Sequence, residues 1–145
     1  MTAIIKNSVL YGADDLVAEW VQRRLGGLKA HTPYVALGVT DGTELLGGIV
    51  FFNATGNDIQ CAVAAVGPIA ARPRAMAQIF AYPFVQLGLD RVSAEIELDN
   101  ARSIKLAQGL GFVREGTKRR AAPGGRHVGV YGLLKKQFNL KRYMP

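Results

Sequence analysis

Three apolar segments of strand-like composition follow one another in the first half of the chain, separated by short polar turns. They read YVALGVT (34–40), ELLGGIVFF (44–52) and IQCAVAAV (59–66). The first turn contains Asp41-Gly42, a pair typical of tight β-hairpins, and the second, NATGND, is polar and contains glycine. Strands joined by such short turns pair antiparallel, so this region predicts a three-stranded meander.

One helix is predicted before this meander in the sequence and one after it. ADDLVAEWVQRRLGG (13–27) has apolar residues at helical spacing, acids in its first turn, arginines in its last and Gly26-Gly27 to end it. Residues 73–87 predict a second helix that begins at Pro73, where the missing N–H costs nothing. Pro83 lies inside that helix and should kink it or remove a hydrogen bond.

The remaining strands complete a mixed sheet. IIKNSVL (4–10) predicts a first strand, and RVSAEIEL (91–98) alternates apolar and polar residues as a half-buried strand does. FVREGTKRRA (112–121) and HVGVYGLL (127–134) predict a final pair around the turn APGGR. A third helix is predicted between the strand 91–98 and the final pair of strands. The resulting order is β-α-β-β-β-α-β-α-β-β, a mixed α/β fold rather than a purely alternating one.

The third helix occupies the stretch DNARSIKLAQGLGFVREG. Asp99 or Asn100 can cap its start, and its apolar positions recur at helical spacing. Gly111 suits the left-handed position after the helix, and Phe112 then packs back against the last turn. An asparagine and a serine at a helix start are therefore explained by capping, unless the surrounding strands give them a second role.

Length and composition narrow the class of protein. The chain has 145 residues, nearly half apolar and a fifth charged, which predicts one globular domain over residues 1–145. No apolar run is long enough to span a membrane, and the N-terminus lacks the pattern of a signal peptide. Cys61 is the single cysteine, so no internal disulfide can form, and we expect a reducing cytoplasm.

The net charge of +7 is unevenly distributed. Residues 1–71 carry four Lys/Arg and six Asp/Glu, whereas residues 72–145 carry fourteen and five. A basic half indicates an anionic partner, either nucleic acid or a phosphorylated small molecule. A soluble basic surface without a partner explains the same numbers.

The third helix also resembles a known motif. An asparagine, a serine three residues later and a Gly-Phe at the helix end, as in NARSIKLAQGLGFVREG, resemble the closing motif of the GNAT N-acetyltransferase superfamily. The branch that it most resembles acetylates ribosomal-protein N-termini, together with phage-encoded relatives that carry segments like FAYPFVQLGLDRVSAEIELDNARS. The resemblance covers most of the chain, is strong over residues 79–134 and agrees with the element order.

The resemblance implies transfer of an acetyl group from acetyl-CoA to an amine. It implies that the strand CAVAAV diverges from its neighbour and offers backbone groups to the pantetheine arm, with the loop PIAARPRAMA holding the pyrophosphate. That loop departs from the family pattern, because its best register contains no glycine. The implied coenzyme-binding residues are Ala65, Val66, Arg72, Arg74, Ala75, Met76, Asn100 and Ser103.

The resemblance also assigns catalytic roles. Ala107 stands where many of these enzymes have a tyrosine acid, so Ser103 is implied as the hydrogen-bond donor to the leaving thiolate. Glu95 and Glu97 are the candidate bases, acting directly or through water. The alternative explanation is that each of the two glutamates is a solvated or salt-bridged partner of Arg91 or Arg102.

Three other reactive side chains are weaker candidates. We expect His127 to be a surface residue, Tyr131 to be an alternative acid and Cys61 to be an inert core thiol.

Two readings of function therefore follow from the sequence. The first is an N-acetyltransferase for a protein N-terminus or a small amine, for which the superfamily resemblance allows a homodimer. The second is a non-catalytic protein on the same scaffold that binds nucleic acid or an acidic partner through TKRR and LKKQFNLKR. Those runs have few interleaved aromatic residues, so a base-stacking surface is not indicated.

Overall fold

A computed structural model describes residues 2–25 and 33–138 of the chain. Eight strands form one sheet in the order β1-β2-β3-β4-β5-β6-β8-β7. Their bounds are β1 Ile4–Lys6, β2 Val9–Tyr11, β3 Tyr34–Thr40, β4 Leu45–Thr55, β5 Asp58–Ala65, β6 Arg91–Glu97, β7 Val113–Ala122 and β8 Arg126–Leu134. Three α-helices are described, α1 Asp14–Leu25, α2 Pro73–Ala81 and α3 Ala101–Leu110. The predicted mixed α/β fold is confirmed.

The prediction of one N-terminal strand over 4–10 is wrong. The segment forms the hairpin β1–β2, in which Lys6 pairs with Val9 around a two-residue turn. Asn7 and Ser8 both have positive φ, of 52° and 67°, which is the backbone of the tight turn that matches strand twist. The sheet therefore has one strand more than the sequence predicts.

The predicted meander β3–β4–β5 is confirmed, and both of its connections are antiparallel hairpins. Asp41 Oδ1 accepts hydrogen bonds from the backbone N–H groups of Thr43 and Glu44, at 2.9 and 3.0 Å. Gly42 has a φ of 102°. These contacts hold the pKa of Asp41 at about 2, chiefly through the Glu44 and Thr43 N–H groups.

One strand pair differs from all the others. β5 and β6 are parallel, and they pair only over residues 58–60 and 91–93. Beyond Gln60, β5 continues against β4, whereas β6 continues against β8. The two strands therefore diverge and leave a gap in the middle of the sheet, as the resemblance implied.

The helices cover both faces of the sheet. α1 packs Val17, Ala18 and Val21 on one face of β3, β4 and β5. Gly48 permits this contact, because a Cβ there would lie 2.7 Å from Val21 Cγ2 and 2.9 Å from Val17 Cγ1. α2 and α3 pack on the other face in a larger core that contains Phe51, Phe80 and Tyr131. The predicted glycine stop of α1 at residues 26–27 lies outside the described residues.

The second helix confirms the predicted effect of Pro83. After α2 ends at Ala81, residues Tyr82–Gln86 continue as a π-helical turn. The N–H of Leu87 donates to the carbonyl of Tyr82 at 2.9 Å, an i to i−5 bond. The proline lacks an N–H and so cannot continue the α-helical ladder.

The third helix has the predicted ends. Asn100 is the N-cap, and its Oδ1 accepts a hydrogen bond from the Ser103 N–H at 3.2 Å. Gly111 has a φ of 105°, and the N–H of Phe112 donates to the carbonyl of Ala107 at 3.0 Å. That bond completes a C-terminal cap in which Phe112 turns back into the core. α3 therefore starts and stops at fixed residues beside the gap.

Candidate active site

A groove follows the gap where β5 and β6 diverge. Its inner cavity, about 210 Å³, lies between the two strands and α3. Its outer cavity, about 560 Å³, continues along β5 to Gly67 and Pro68. The two cavities share Leu25, Val63, Asn100, Ser103 and Leu106, so they form one groove.

Asn100 and Ser103 lie at the junction of the two cavities. The cap occupies Asn100 Oδ1 and the Ser103 N–H, so the Asn100 amide hydrogens and the Ser103 hydroxyl are not used by it. Within residues 2–25 and 33–138 neither Asn100 Nδ2 nor Ser103 Oγ has a hydrogen-bond partner. The helix cap thus fixes both side chains and leaves two donors for a ligand.

On the side of the sheet where α3 packs, the wall of the inner cavity is apolar. It is formed by Cys61, Ala94, Ile96, Ala107, Leu110 and Phe112. Cys61 is buried, and desolvation followed by the nearby Asp58 charge raises the pKa of its thiol to about 12. A protonated thiol is a poor nucleophile, so Cys61 acts here as a small apolar wall residue, as the sequence predicts.

Glu95 and Glu97 line the inner cavity from the opposite face of the sheet. Glu95 Oε2 accepts hydrogen bonds from Gln60 Nε2 at 3.2 Å and from Lys118 Nζ at 3.0 Å. Glu97 Oε1 accepts from Arg126 Nη2 at 3.3 Å. Both glutamates therefore form salt bridges, as one of the two explanations predicted, but their partners are cations of β7 and β8.

The suggested partners Arg91 and Arg102 were wrong. Arg91 instead binds Glu115 through two hydrogen bonds, of 2.5 and 2.9 Å, and lies 3.5 Å from Asp58. Arg102 has no acidic partner among the described residues. Glu95 Oε1 also lacks a partner in that part of the chain, which leaves one carboxylate oxygen available to a proton.

The outer cavity has a basic rim. Arg24, Arg102 and Lys105 line it together with Ala65 and Val66. The Arg24 guanidinium lies 3.5 Å above the Trp20 ring and donates to the Trp20 carbonyl, which fixes its direction. Over residues 2–25 and 33–138 none of these three cations forms an ion pair with an acid. The rim is therefore suited to an anionic group.

The basic rim was not predicted from the sequence. Arg24 and Leu25 reach the groove only because α1 packs across the sheet, and nothing in the local sequence indicates that. Arg102 and Lys105 could have been recognised together, because residues three apart share one side of a helix.

The remaining predicted coenzyme residues lie outside the two cavities. Ile69–Ala71 forms a short 3-10 turn between the outer cavity and α2, whose N-cap is Arg72. Arg74 is exposed, whereas the side chains of Ala75 and Met76 are 1% and 0% exposed and cannot contact a ligand in the groove. The Met76 N–H donates to the Arg72 carbonyl at 3.0 Å, so it is also used within the helix. Ala75 belongs to the hydrophobic core.

Other candidate residues are also placed. Tyr131 is 2% exposed in the core and does not line either cavity. His127 is exposed, and its Nδ1 accepts a hydrogen bond from the Arg120 N–H at 3.0 Å. The described residues contain no cluster of three or more His, Cys, Asp or Glu that could hold a metal ion. No described helix is both long and apolar enough to cross a membrane.

The mixed sheet, with its parallel pair of diverging strands and three flanking helices, superposes on solved structures of acetyltransferases. A candidate acetyltransferase from T. thermophilus superposes with a TM-score of 0.73 at 19% identity, over 99% of this chain and 95% of that one. RimJ of Mycobacterium smegmatis, solved in complex with CoA-disulfide, gives 0.69 at 15% identity, over 97% and 90%. The ribosomal-protein-S5-alanine acetyltransferase of Vibrio fischeri gives 0.66 at 13% identity, over 95% and 99%.

One curated relative matches in sequence. An uncharacterized N-acetyltransferase p20 of Bacillus licheniformis is 37% identical over 67 residues, which are 44% of this chain and 38% of that protein. The match therefore spans well under half of the curated relative. No protein-family model matches the chain. The structural neighbours therefore share the fold of this chain, and the similarity to the curated relative is confined to less than half of either protein.

Proposed function

We propose that the protein is an N-acetyltransferase that moves an acetyl group from acetyl-CoA to a primary amine by direct attack. The observation that carries this proposal is the groove that β5 and β6 open as they diverge, with Asn100 and Ser103 fixed on its wall. Unpaired β5 backbone groups and apolar side chains suit a pantetheine arm, and the basic rim suits phosphates.

The chain's own residues suggest how the transfer proceeds. Bound acetyl-CoA supplies an acetyl thioester. Glu95, on the other face of the sheet, takes a proton from the attacking amine through Oε1 or a water, and Glu97 is the second candidate base. Ser103 Oγ donates a hydrogen bond to the sulfur as the C–N bond forms and the C–S bond breaks.

Coenzyme binding is tested by thermal unfolding with CoA and acetyl-CoA. We expect both ligands to raise the melting temperature, because a ligand that binds only the folded chain stabilises it. Arg102→Ala should weaken binding by roughly fivefold, about 1 kcal/mol for a lost charged contact. Arg119→Ala removes the same charge from the exposed strand β7 and is the matched control. No shift with either ligand at millimolar concentration would refute the proposal.

Transfer itself is tested with amine acceptors. Structural neighbours include a ribosomal-protein alanine acetyltransferase and a spermidine N-acetyltransferase, so a peptide with N-terminal alanine and spermidine are the first two acceptors to assay. Ser103→Ala should lower kcat by about a hundredfold with little change in KM, since the hydroxyl acts when the sulfur leaves. A variant that turns over at the wild-type rate would remove this role from Ser103.

The exposed strand β7 keeps nucleic-acid binding as a second candidate. Its residues 113–121 are all exposed and include Lys118, Arg119 and Arg120. A gel shift that weakens steeply with salt would support this function. Retained acetyl-CoA binding without any gel shift would support the acetyltransferase alone.

A further inference from the structure

The inner cavity continues beyond Ser103, along the buried side of α3. Ser103, Ala107 and Leu110 are spaced four and three residues apart, so they line one side of the helix. At a rise of about 1.5 Å per residue, the seven residues from Ser103 to Leu110 span roughly 10 Å. The cavity therefore extends two helical turns past the proposed position of the thioester.

Small side chains create this space. Cys61 on β5, Ala94 on β6 and Ala107 on α3 face the cavity from three different elements. They are 4%, 7% and 7% exposed, so the space lies inside the fold. An apolar cavity of about 150 Å³ is enough to hold benzene. The inner cavity, about 210 Å³ including the end lined by Asn100 and Ser103, is larger than a methyl group requires.

On the α3 side of the cavity, the polar side chains are at the end that meets the outer cavity. Asn100 and Ser103 lie at its junction with the outer cavity, and Glu95 and Glu97 line it from the opposite face of the sheet. The end farther along α3 is closed by Leu110 and Phe112, which are 3% and 5% exposed. A ligand with a polar carbonyl at the Ser103 end and a hydrocarbon chain toward Leu110 matches this arrangement.

We propose that the inner cavity is an acyl-chain pocket that accepts straight-chain acyl groups of about four to six carbons as well as acetyl, and binds the longer groups more tightly. The inference rests on the proposed coenzyme site and deepens the proposed function by adding a second donor class, short- to medium-chain acyl-CoA. Each methylene buried from water should tighten binding by about fourfold until the pocket is full. Over the four methylenes that separate hexanoyl from acetyl, we expect at least a tenfold gain.

Calorimetric titration of the full chain with CoA, acetyl-CoA, butyryl-CoA and hexanoyl-CoA measures this preference. The expected order of affinity is hexanoyl or butyryl above acetyl, with free CoA as the reference. Equal or weaker binding of the longer donors would overturn the acyl pocket, although acetyl-CoA binding would leave the coenzyme site intact. Tight hexanoyl-CoA binding with no transfer to any amine would instead refute the proposed function and support the pocket.

Variants that fill the pocket separate it from nonspecific hydrophobic binding. Ala107→Leu should reduce the hexanoyl-to-acetyl affinity ratio to about one, whereas Ala101→Leu, the same change at an exposed position of α3, should leave it unchanged. Ala94→Val narrows the opposite wall with a residue suited to a strand, in case leucine at 107 prevents folding. Melting temperatures without ligand identify which variants fold. A folded pocket variant that keeps the wild-type ratio would overturn the assignment.

Discussion

Replacing Asn100 by alanine removes two groups at once, the oxygen that caps α3 and the amide hydrogens that face the groove. The oxygen accepts a hydrogen bond from the Ser103 N–H at 3.2 Å, so its loss leaves a helix-terminal donor without a partner. Loss of such a cap costs about 1 kcal/mol of unfolding free energy. For a chain of this size, that corresponds to a fall in melting temperature of roughly 2–4 °C.

Asn100→Ser separates the cap from the ligand contact. Serine caps a helix about as well as asparagine, so we expect the unfolding free energy to stay within a few tenths of a kcal/mol of wild type. Its short hydroxyl cannot replace the amide donors in the groove. Both variants should therefore lose about threefold to tenfold in CoA affinity, the typical contribution of one hydrogen bond.

Urea unfolding and calorimetric titration with CoA measure the two quantities on the same samples. The expected pattern is a destabilised alanine variant, a stable serine variant and weakened CoA binding in both. Wild-type affinity in the serine variant would refute the ligand contact and leave Asn100 as a cap alone. Wild-type stability in the alanine variant would refute the capping contribution.

Local signals in the sequence were sufficient for most of the fold. The Asp41-Gly42 hairpin, the cap at Asn100 and the left-handed Gly111 each depend on the preferences of a few adjacent residues. The N-terminal hairpin was missed because the apolar run IIKNSVL contains no glycine to mark its turn. Asn7 and Ser8 adopt positive φ there, and asparagine does so more readily than most residues.

The candidate site depends more on packing between distant elements. Asn100 and Ser103 could be predicted because capping fixes both of them locally. The Glu95 partner Lys118 is 23 residues away and reaches it across β8, whose strand order no local pattern specifies. Arg24 could not be predicted for the same reason, because it lines the outer cavity only through the packing of α1 on the sheet.

Three further predictions test the packing and the electrostatics around the groove. Gly48→Ala should destabilise the fold by about 1–3 kcal/mol, because the new methyl would meet two buried valines of α1 at 2.7 and 2.9 Å. Gly116→Ala, with nothing within 4 Å, is its control, and equal unfolding free energies would contradict the reasoning. Cys61 should resist alkylation at neutral pH until the chain unfolds, since burial raises its pKa to about 12; labelling of the native protein would contradict this. Glu115 should make the free energy of unfolding depend on pH in the acidic range, because the Arg91 hydrogen bonds lower the pKa of Glu115 below its ordinary 4.5. When the pKa of a group is lower in the folded than in the unfolded chain, its contribution to stability is present above the unfolded pKa and is lost as pH falls through the folded pKa. The free energy of unfolding should therefore drop as pH falls below the ordinary glutamate pKa of 4.5. Glu115→Gln lacks the titrating group and should drop less over that range in urea unfolding, whereas an unchanged drop would show that the Arg91 pair contributes no net stability.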